Sequence, residues 1–600
     1  MLTDERTGGS LRLARRLLWR LARPRLYRII VLFVLAIVQT VLVAATPWLV
    51  SLAIDTGIPA AQASNYWPLA GITAAIMVCA VAIAPLSLLW RQLTGAFGQL
   101  VVFDLRTELF AKIQRLPIDF HDRFSSGRVI VRLTTDVESV NTLFGVTLAA
   151  LVQAGLGVLM TVSAMLLLDA WLAAITLAVL APLAFFLVWM ARRLSEAFVN
   201  NRAAIAEATV QVVESLNGAR TAHAFRRQKR HDEMFAPLIE RARTSGRQIQ
   251  AVRGAFWTTL ELTLSFVTLA VIMVGGSAVA NGVLEIGVLA AFTLYISQLV
   301  SPLTSLTFIL DALQSALTAL AKLAEVLEQE SSVAEPRHPV ALPSPVRGEV
   351  VFERVRFGYH AATSGLSESA PAIRDMNLRL EPGQLVAMLG ATGAGKSTIA
   401  KLIARFYDPT AGRILLDGVD LRHLRDRDLR GAVVMLTQDG FLFAGSVADN
   451  IRIAKPGATM AEIEAAATAV GADAFIRALP GGYQTDVRKR GTRLSAGQRQ
   501  MVAFARAFLA NPAVLILDEA TSALDIPTER TMQKALRALL AGRTALVIAH
   551  RLSTVEIADR VLVVADGRIV DDGTPAEMLA QGTGEFAALY RDGHGLSLER

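Results

Sequence analysis

Six apolar stretches recur along the first half of the chain, near residues 29 to 54, 68 to 90, 143 to 168, 171 to 191, 257 to 280 and 287 to 310. Each is long enough to cross a hydrocarbon core, which takes about 20 residues. The connectors after the first, third and fifth, residues 55–67, 169–170 and 281–286, contain no Lys or Arg. Longer polar segments, 91–142 and 192–256, follow the second and fourth. They carry Arg91, Arg106, Lys112, Arg115, Arg123, Arg128 and Arg132, then Arg192, Arg193, Arg226, Arg227, Lys229 and Arg230. By the positive-inside rule the N-terminus, both long segments and the second half of the chain are cytoplasmic, and the bare connectors are outside.

Both long segments continue the helical periodicity of the crossings they join. They are expected to be intracellular helical extensions, reversing near Pro117 to Gly127 and near Phe225 to Asp232, where a short helix can touch a neighbouring domain. Ahead of the first crossing, Leu11 to Arg20 is basic and amphipathic and ends near Pro24. Residues 1–28 are therefore expected to form an interfacial elbow helix, with arginines toward anionic headgroups and Leu and Trp in the interface. The apolar run after it is too long for the core of a cleavable signal peptide.

Past the sixth crossing the helical pattern runs on to residue 330, closing a domain over 29–330. Pro336, Pro339, Pro343 and Pro345 then break all periodicity, so 331–346 is a linker. From 347 to 600 short β-branched runs alternate with helical ones. Runs at 350–352, 385–389, 433–436, 514–517, 545–549 and 561–564 predict strands of an α/β domain, some fully buried and parallel.

The chain has 600 residues, 53% of them hydrophobic and 19% charged, and a mean hydropathy of +0.44. Several domains are expected, at least one of them in a membrane. The net charge of +8 raises the question of a nucleic-acid partner. Much of the Arg and Lys flanks apolar segments instead of forming an aromatic-studded patch, which argues against one. Cys79 is the single cysteine, so neither an intrachain disulfide nor a cysteine metal cluster is available. Charges inside the crossings are scarce, with Glu261 and Asp311 the acidic ones near the inner ends. Gln39, Gln153 and Gln298 lie deeper and are expected to make hydrogen bonds between helices. The absence of a strongly polar path favours a hydrophobic or amphipathic cargo.

The α/β half carries the chemistry. Gly390-Ala391-Thr392-Gly393-Ala394-Gly395-Lys396-Ser397-Thr398 follows the apolar run 385–389 and fits G-x-x-x-x-G-K-[ST]. Its backbone N–H groups converge on phosphate, Lys396 reaches the terminal phosphates, and the Ser397 hydroxyl can ligate Mg2+, so a nucleoside triphosphate is the expected ligand. Val514 to Leu517 runs into Asp518 and Glu519. Asp518 suits the magnesium shell, and Glu519 can polarise the attacking water.

With these elements in order, the chain resembles the ATP-binding cassette (ABC) family. Leu494-Ser495-Ala496-Gly497-Gln498 is similar to the family's signature sequence, Gln438 to the glutamine that senses magnesium, Ser522-Ala523-Leu524-Asp525 to the D-loop, His550 to the switch histidine, and Tyr359 to the aromatic that stacks on adenine. Six crossings followed by one cassette resembles the half-transporter layout of bacterial multidrug and lipid exporters.

The resemblance implies a multidomain membrane protein, with a six-helix all-α transmembrane domain and an α/β P-loop nucleotide-binding domain, in the bacterial inner membrane. It implies that Glu519, His550 and Gln438 act in hydrolysis and that Ser397, Gln438 and Asp518 hold Mg2+. ATP would be bound by Tyr359, Gly390, Thr392, Gly393, Gly395, Lys396, Ser397, Thr398 and Asp525 of one chain, with Ser495, Gly497 and Gln498 of a second, identical or not. Cassette closure on ATP and separation after hydrolysis would drive alternating access for a small amphipathic substrate.

Two positions depart from the family pattern. Ala496 stands where glycine is usual, and Lys489 stands in a loop that usually includes a glutamate, which raises a heterodimer with a differently equipped partner. The motifs leave open a dedicated lipid flippase and an importer built on the same fold, for instance for a siderophore. A soluble-type P-loop enzyme with a membrane anchor is disfavoured by the signature and the helical extensions.

Overall fold

The computed structural model describes residues 4–359, 371–437, 440–488, 491–518, 526–549, 555–581, 584–587 and 590. The chain forms two bodies, Met1–Gln114 with Ser126–Gln329, and Arg115–Ser125 with Glu330–Arg600.

The first body is helical. Its elements are α1 (Asp4–Ala22), α2 (Leu26–Leu52), α3 (Ile58–Gln62) and α4 (Trp67–Arg115), with the short α5 (Ile118–Arg123) given over to the second body. Then come α6 (Ser126–Val131), α7 (Val137–Thr142), α8 (Leu148–Leu168), α9 (Ala170–Asn217), α10 (Ala219–Ala224), α11 (Gln228–Ala280) and α12 (Ile286–Glu328). Among the described residues, Arg12–Gln62, Trp67–Arg115, Ser126–Leu168 and Gln228–Ala280 are helical segments long and apolar enough to cross a membrane. Shorter apolar stretches occupy Ala170–Pro182 and Ile286–Val300. The polar helical extensions expected from the sequence are continuous with these helices. The second reversal falls at α10 and the turn to 227, a little upstream of the expected place. The side chain of Asp311 lies outside the described ones.

Backbone polar groups explain how α2 and α12 meet. Pro47 lies inside α2 and has no N–H, so the carbonyl of Val43, four residues earlier, lacks its helical donor. Gln298 Nε2 donates to that carbonyl at 3.2 Å, and Tyr295 Oη donates to the next one, Ala44 O, at 2.7 Å. Among the described residues, Gln298 Oε1 is buried without a partner. Beyond Leu52 the helix widens into a π turn, Ala53–Gly57, and there Asp55 Oδ1 accepts from Gly287 N, in the first turn of α12, at 2.6 Å. A Cβ on Gly287 would lie 2.4 Å from Ser51 O, so only glycine allows this approach. Gln39 and Gln153 also bond between helices, as their positions in the sequence imply.

The N-terminal helix differs from its expected setting. Ala14, Leu17, Leu21 and Ala22 are buried within the protein, where α1 packs on α12, and Trp19 is exposed. The apolar face of α1 is thus satisfied by protein. Arg20 and Arg25 are held by Glu108 and Asp104 of α4.

The second body contains two sheets. The antiparallel one runs β2-β1-β4-β5 and comprises β1 (Val350–Phe357), β2 (Ile373–Leu380), β4 (Ala411–Leu416) and β5 (Val419–Asp420). The other runs β10-β9-β3-β8-β7-β6, with β3 (Leu385–Leu389), β6 (Val433–Leu436), β7 (Val514–Asp518), β8 (Thr544–Ile548), β9 (Arg560–Ala565) and β10 (Arg568–Gly573). All of its pairs are parallel except β9–β10.

Helices α13 (Lys396–Ile403) and α14 (Asp426–Ala432) cover one core. Helices α15 (Val447–Arg452), α16 (Met460–Ala469), α17 (Asp473–Arg477), α18 (Ala496–Ala510) and α19 (Ile526–Leu540) belong to a helical portion. The second core there includes Leu442, Ile451, Ile463, Ile476, Phe504 and Leu539, all buried. Strands β7 and β8 have buried apolar residues on both faces, as parallel central strands require.

Candidate active site

The glycine loop joins β3 to α13, and its glycines are there for stated reasons. Gly390 has φ +141°, and a Cβ on it would lie 2.1 Å from Val564 O on β9. Gly395 has φ +109°, with its Cβ position 2.9 Å from Ala372 O. Both positions exclude any side chain. Gly393, at φ +87°, has open space around it, and Thr392 is exposed beside it. Lys396 is 7% exposed, and its ammonium donates to Gly390 O at 2.6 Å and Ala391 O at 2.9 Å, which sets the charge inside the loop. Ser397 is exposed in the first turn of α13.

The parallel strands β3, β6, β7 and β8 have their C-terminal ends along one edge of the sheet. The segments carrying Gln438, Glu519 and His550 follow the C-terminal ends of β6, β7 and β8, and the glycine loop follows β3. This is the edge where open α/β sheets bind ligands. Asp518 ends β7, paired with Ile548 of β8, and is half-buried. Gln438, Lys489, Glu519, Asp525 and His550 lie outside the described residues, as does Ser522 to Leu524. Ser397, in the first turn of α13 after β3, and Asp518, at the C-terminal end of β7 with β8 between the two strands, are hard oxygen donors that suit a magnesium ion.

The signature segment opens α18. Ser495 is its N-cap in a reciprocal capping box: Gln498 N donates to Ser495 Oγ at 3.2 Å, and Ser495 N donates to Gln498 Oε1 at 2.9 Å. The Ser495 hydroxyl accepts here, so its own proton stays available for an anion. Gln498, expected among the ATP ligands, has its amide oxygen on the cap. Gly497 is buried, whereas Ala496 is exposed, so its methyl meets no packed neighbour.

Tyr359 is 38% exposed and closes the other side of the loop. Its hydroxyl is 3.1 Å from Thr398 Oγ1, and its ring meets Phe357 and Tyr407 edge-on at 4.9 and 5.3 Å. Lys401 Nζ lies 6.0 Å from the Tyr359 ring centroid and 5.8 Å from that of Tyr407.

Sequence reasoning missed Tyr407, Lys401 and Asp122. Tyr407 Oη donates to Asp122 Oδ2 of α5 at 2.6 Å, and Lys401 Nζ is 3.5 Å from the same oxygen. Burial, and then the bond to Asp122, push the Tyr407 hydroxyl above the usual tyrosine range. The adjacent aromatics Phe406 and Tyr407 just beyond α13 were the available signal. Arg506 was missed too: it donates to Asn450 O at 2.6 Å and Phe441 O at 2.8 Å, fixing the segment that follows Gln438. Burial lowers its pKa.

The sequence matches the family of the ABC transporter transmembrane region over residues 29–303 and the ABC transporter family over residues 373–522. A fatty acid ABC transporter ATP-binding/permease protein of Mycobacterium tuberculosis is 36% identical over 84% of this chain and 79% of its own length. An ATP-dependent lipid A-core flippase of Chromobacterium violaceum is 35% identical over 82% of each. Among solved structures, a bacterial Atm1-family ABC exporter with ATP bound superposes with a TM-score of 0.79, at 27% identity, covering 94% of this chain and 99% of that one.

Proposed function

Because the chain belongs to the ABC transporter family, in which ATP hydrolysis is coupled to transport across a membrane, we propose that two such chains export or flip amphipathic compounds from the cytoplasmic side of a bacterial inner membrane. The observation that carries this reading is the presence of both halves of a composite ATP site on one chain: the glycine loop after β3 and the signature N-cap of α18. In the proposal, Lys396 and the backbone of Gly390 to Thr398 hold the phosphates, and Tyr359 stacks on adenine. Ser495 and Gly497 of the second chain then meet the γ-phosphate.

Glu519 orients and deprotonates the attacking water, with His550 and Gln438 beside the γ-phosphate. Ser397 and Asp518, with Gln438, are the residues that would hold magnesium, which neutralises phosphate charge when bound. Closed cassettes separate once the γ-phosphate bridge is gone, and the intracellular reversals carry that motion to the membrane helices. Relatives named for fatty acids and for lipid A-core support an amphipathic cargo.

The test is Glu519→Gln in the chain reconstituted into vesicles. ATP binding is expected to persist while steady-state hydrolysis and ATP-driven transport are lost. Turnover at the wild-type rate would remove Glu519 from its role.

A further inference from the structure

Three polar side chains fix the depth of the neighbouring helices. Gln39 Nε2 of α2 donates to Ser87 Oγ of α4 at 2.9 Å, and Gln153 Nε2 of α8 donates to Gln39 Oε1 at 3.2 Å. The apolar run of α2 begins at residue 29, directly after Arg28. At about 1.5 Å per helical residue, Gln39 lies roughly 15 Å in from that end. Arg91 is one turn beyond Ser87 toward the inner side, which leaves it about 9 Å inside the start of the α2 crossing. The apolar run of α4 stops at residue 90, so the sequence places Arg91 outside the membrane. The antiparallel pairing with α2 places it within.

The direction of Arg91 follows from its own helix. Ser87, Arg91, Thr94 and Gly98 share one stripe of α4. Ser87 is bonded into the polar layer, Thr94 is 3% exposed, and a Cβ on Gly98 would lie 2.8 Å from Asn141 Oδ1 and 3.0 Å from Gly145 Cα. The stripe therefore faces α2 and the 141–153 segment. An arginine that only reached for inner headgroups would sit on the opposite, outward stripe. Arg91 alone of the four is exposed, and it enters no ion pair or hydrogen bond among the described residues. An ionised group at hydrocarbon depth is costly and marks a substrate path.

We infer that Arg91 anchors the head of an anionic amphiphile, binding its carboxylate or phosphate, while the apolar helix surface around it takes the alkyl body. A planar guanidinium matches either oxyanion with two parallel N–H donors, which an ammonium cannot do. This selectivity rests on the reading of the chain as an exporter of amphipathic compounds, and narrows it to those with a negative head.

The experiment uses the full chain in vesicles of phosphatidylcholine alone, so that no anionic lipid competes. ATPase stimulation is titrated with dodecanoate, dodecyl phosphate, dodecanol and dodecyltrimethylammonium. The two anions are expected to reach half-activation at concentrations about tenfold below dodecanol, in the wild type only. Arg91→Gln is expected to erase that preference while the dodecanol titration stays within about twofold, and Arg91→Lys to keep part of the preference. Dodecanoate and dodecyl phosphate separate a carboxylate site from a phosphate site. A response to dodecanol with no charge preference, or a preference that survives Arg91→Gln, overturns the inference alone. No response to any of the four overturns the amphiphile reading itself, and the inference with it.

Discussion

Replacing Gln298 with leucine tests whether α12 supplies the donor that Pro47 removes from α2. The Val43 carbonyl has no helical N–H and receives Gln298 Nε2 at 3.2 Å. Interhelical hydrogen bonds in a membrane are worth about 0.6–1.7 kcal/mol, so losing this one costs roughly 1. The same side chain buries an unpartnered Oε1, and an unsatisfied buried acceptor costs about 1–3 kcal/mol. The two effects nearly cancel, so Gln298→Leu alone is expected to change unfolding free energy by less than about 0.5 kcal/mol. In a Pro47→Ala background the Val43 carbonyl regains its own donor and nothing is lost there. Gln298→Leu then stabilises by about 1 kcal/mol, a coupling of about 1 kcal/mol in a double-mutant cycle. Tyr295→Phe, whose 2.7 Å bond leaves no orphan behind, is expected to cost about 1 kcal/mol in both backgrounds. Reversible unfolding in mixed micelles measures all of these. Equal effects of Gln298→Leu with and without Pro47 would refute the reasoning.

Lys396→Ala is expected to abolish ATP-dependent uptake into inverted vesicles; undiminished uptake would sink the energising role of the loop. Tyr407→Phe removes a hydrogen bond to a carboxylate that is half exposed, so a loss of about 1 kcal/mol of cassette stability is expected by denaturant unfolding. The Tyr407 pKa is raised in the fold, so its stabilisation is full below about pH 10 and is lost as pH rises beyond that. In Tyr407→Phe the alkaline loss should be correspondingly shallower. Glu462 is held down to about 2, below the ordinary glutamate value of 4.5, by Lys455 first and then by the Thr459 backbone and hydroxyl. Its contribution is present above pH 4.5 and fades as pH falls toward 2, which an NMR titration of its carboxyl carbon checks. A midpoint near 4.5 would show that the capping box of α16 is not made in solution.

The sequence located what is regular. Strands β3 and β6 match the apolar runs residue for residue, because central parallel strands are continuous hydrophobic segments bounded by turns. β2 was not legible: Ile373-Arg-Asp-Met-Asn-Leu-Arg-Leu has Asp and Asn in a strand, Asp375 takes φ +47°, and the pairing with β1 shifts register. β10, with Asp571 and Asp572, hides for the same reason. The phosphate loop was readable because its glycines answer to backbone geometry, which a local motif records. The Tyr407–Lys401–Asp122 cluster joins residues 285 apart in sequence, and no local pattern records such a meeting. The setting of α1 was half legible: periodicity identifies its apolar face, but whether lipid or protein covers that face depends on the partner helix.

Arg115–Ser125 belongs to the same body as Glu330–Arg600, although the helical body's sequence surrounds it. The cassette is therefore discontinuous in sequence, and three passages of chain, at 114–115, 125–126 and 329–330, join the two bodies. A protease that cuts the proline-rich linker severs the covalent link to residues 347–600, but their contacts with Arg115–Ser125 remain, so nicked protein should purify as one species. A fragment beginning at residue 330 is likewise not the domain as it stands in the intact molecule. It lacks Asp122, leaves the buried Tyr407 hydroxyl without its acceptor, and alters the aromatic cluster on which Tyr359 rests. Nucleotide affinities measured on that fragment describe a different pocket from the one in the full chain.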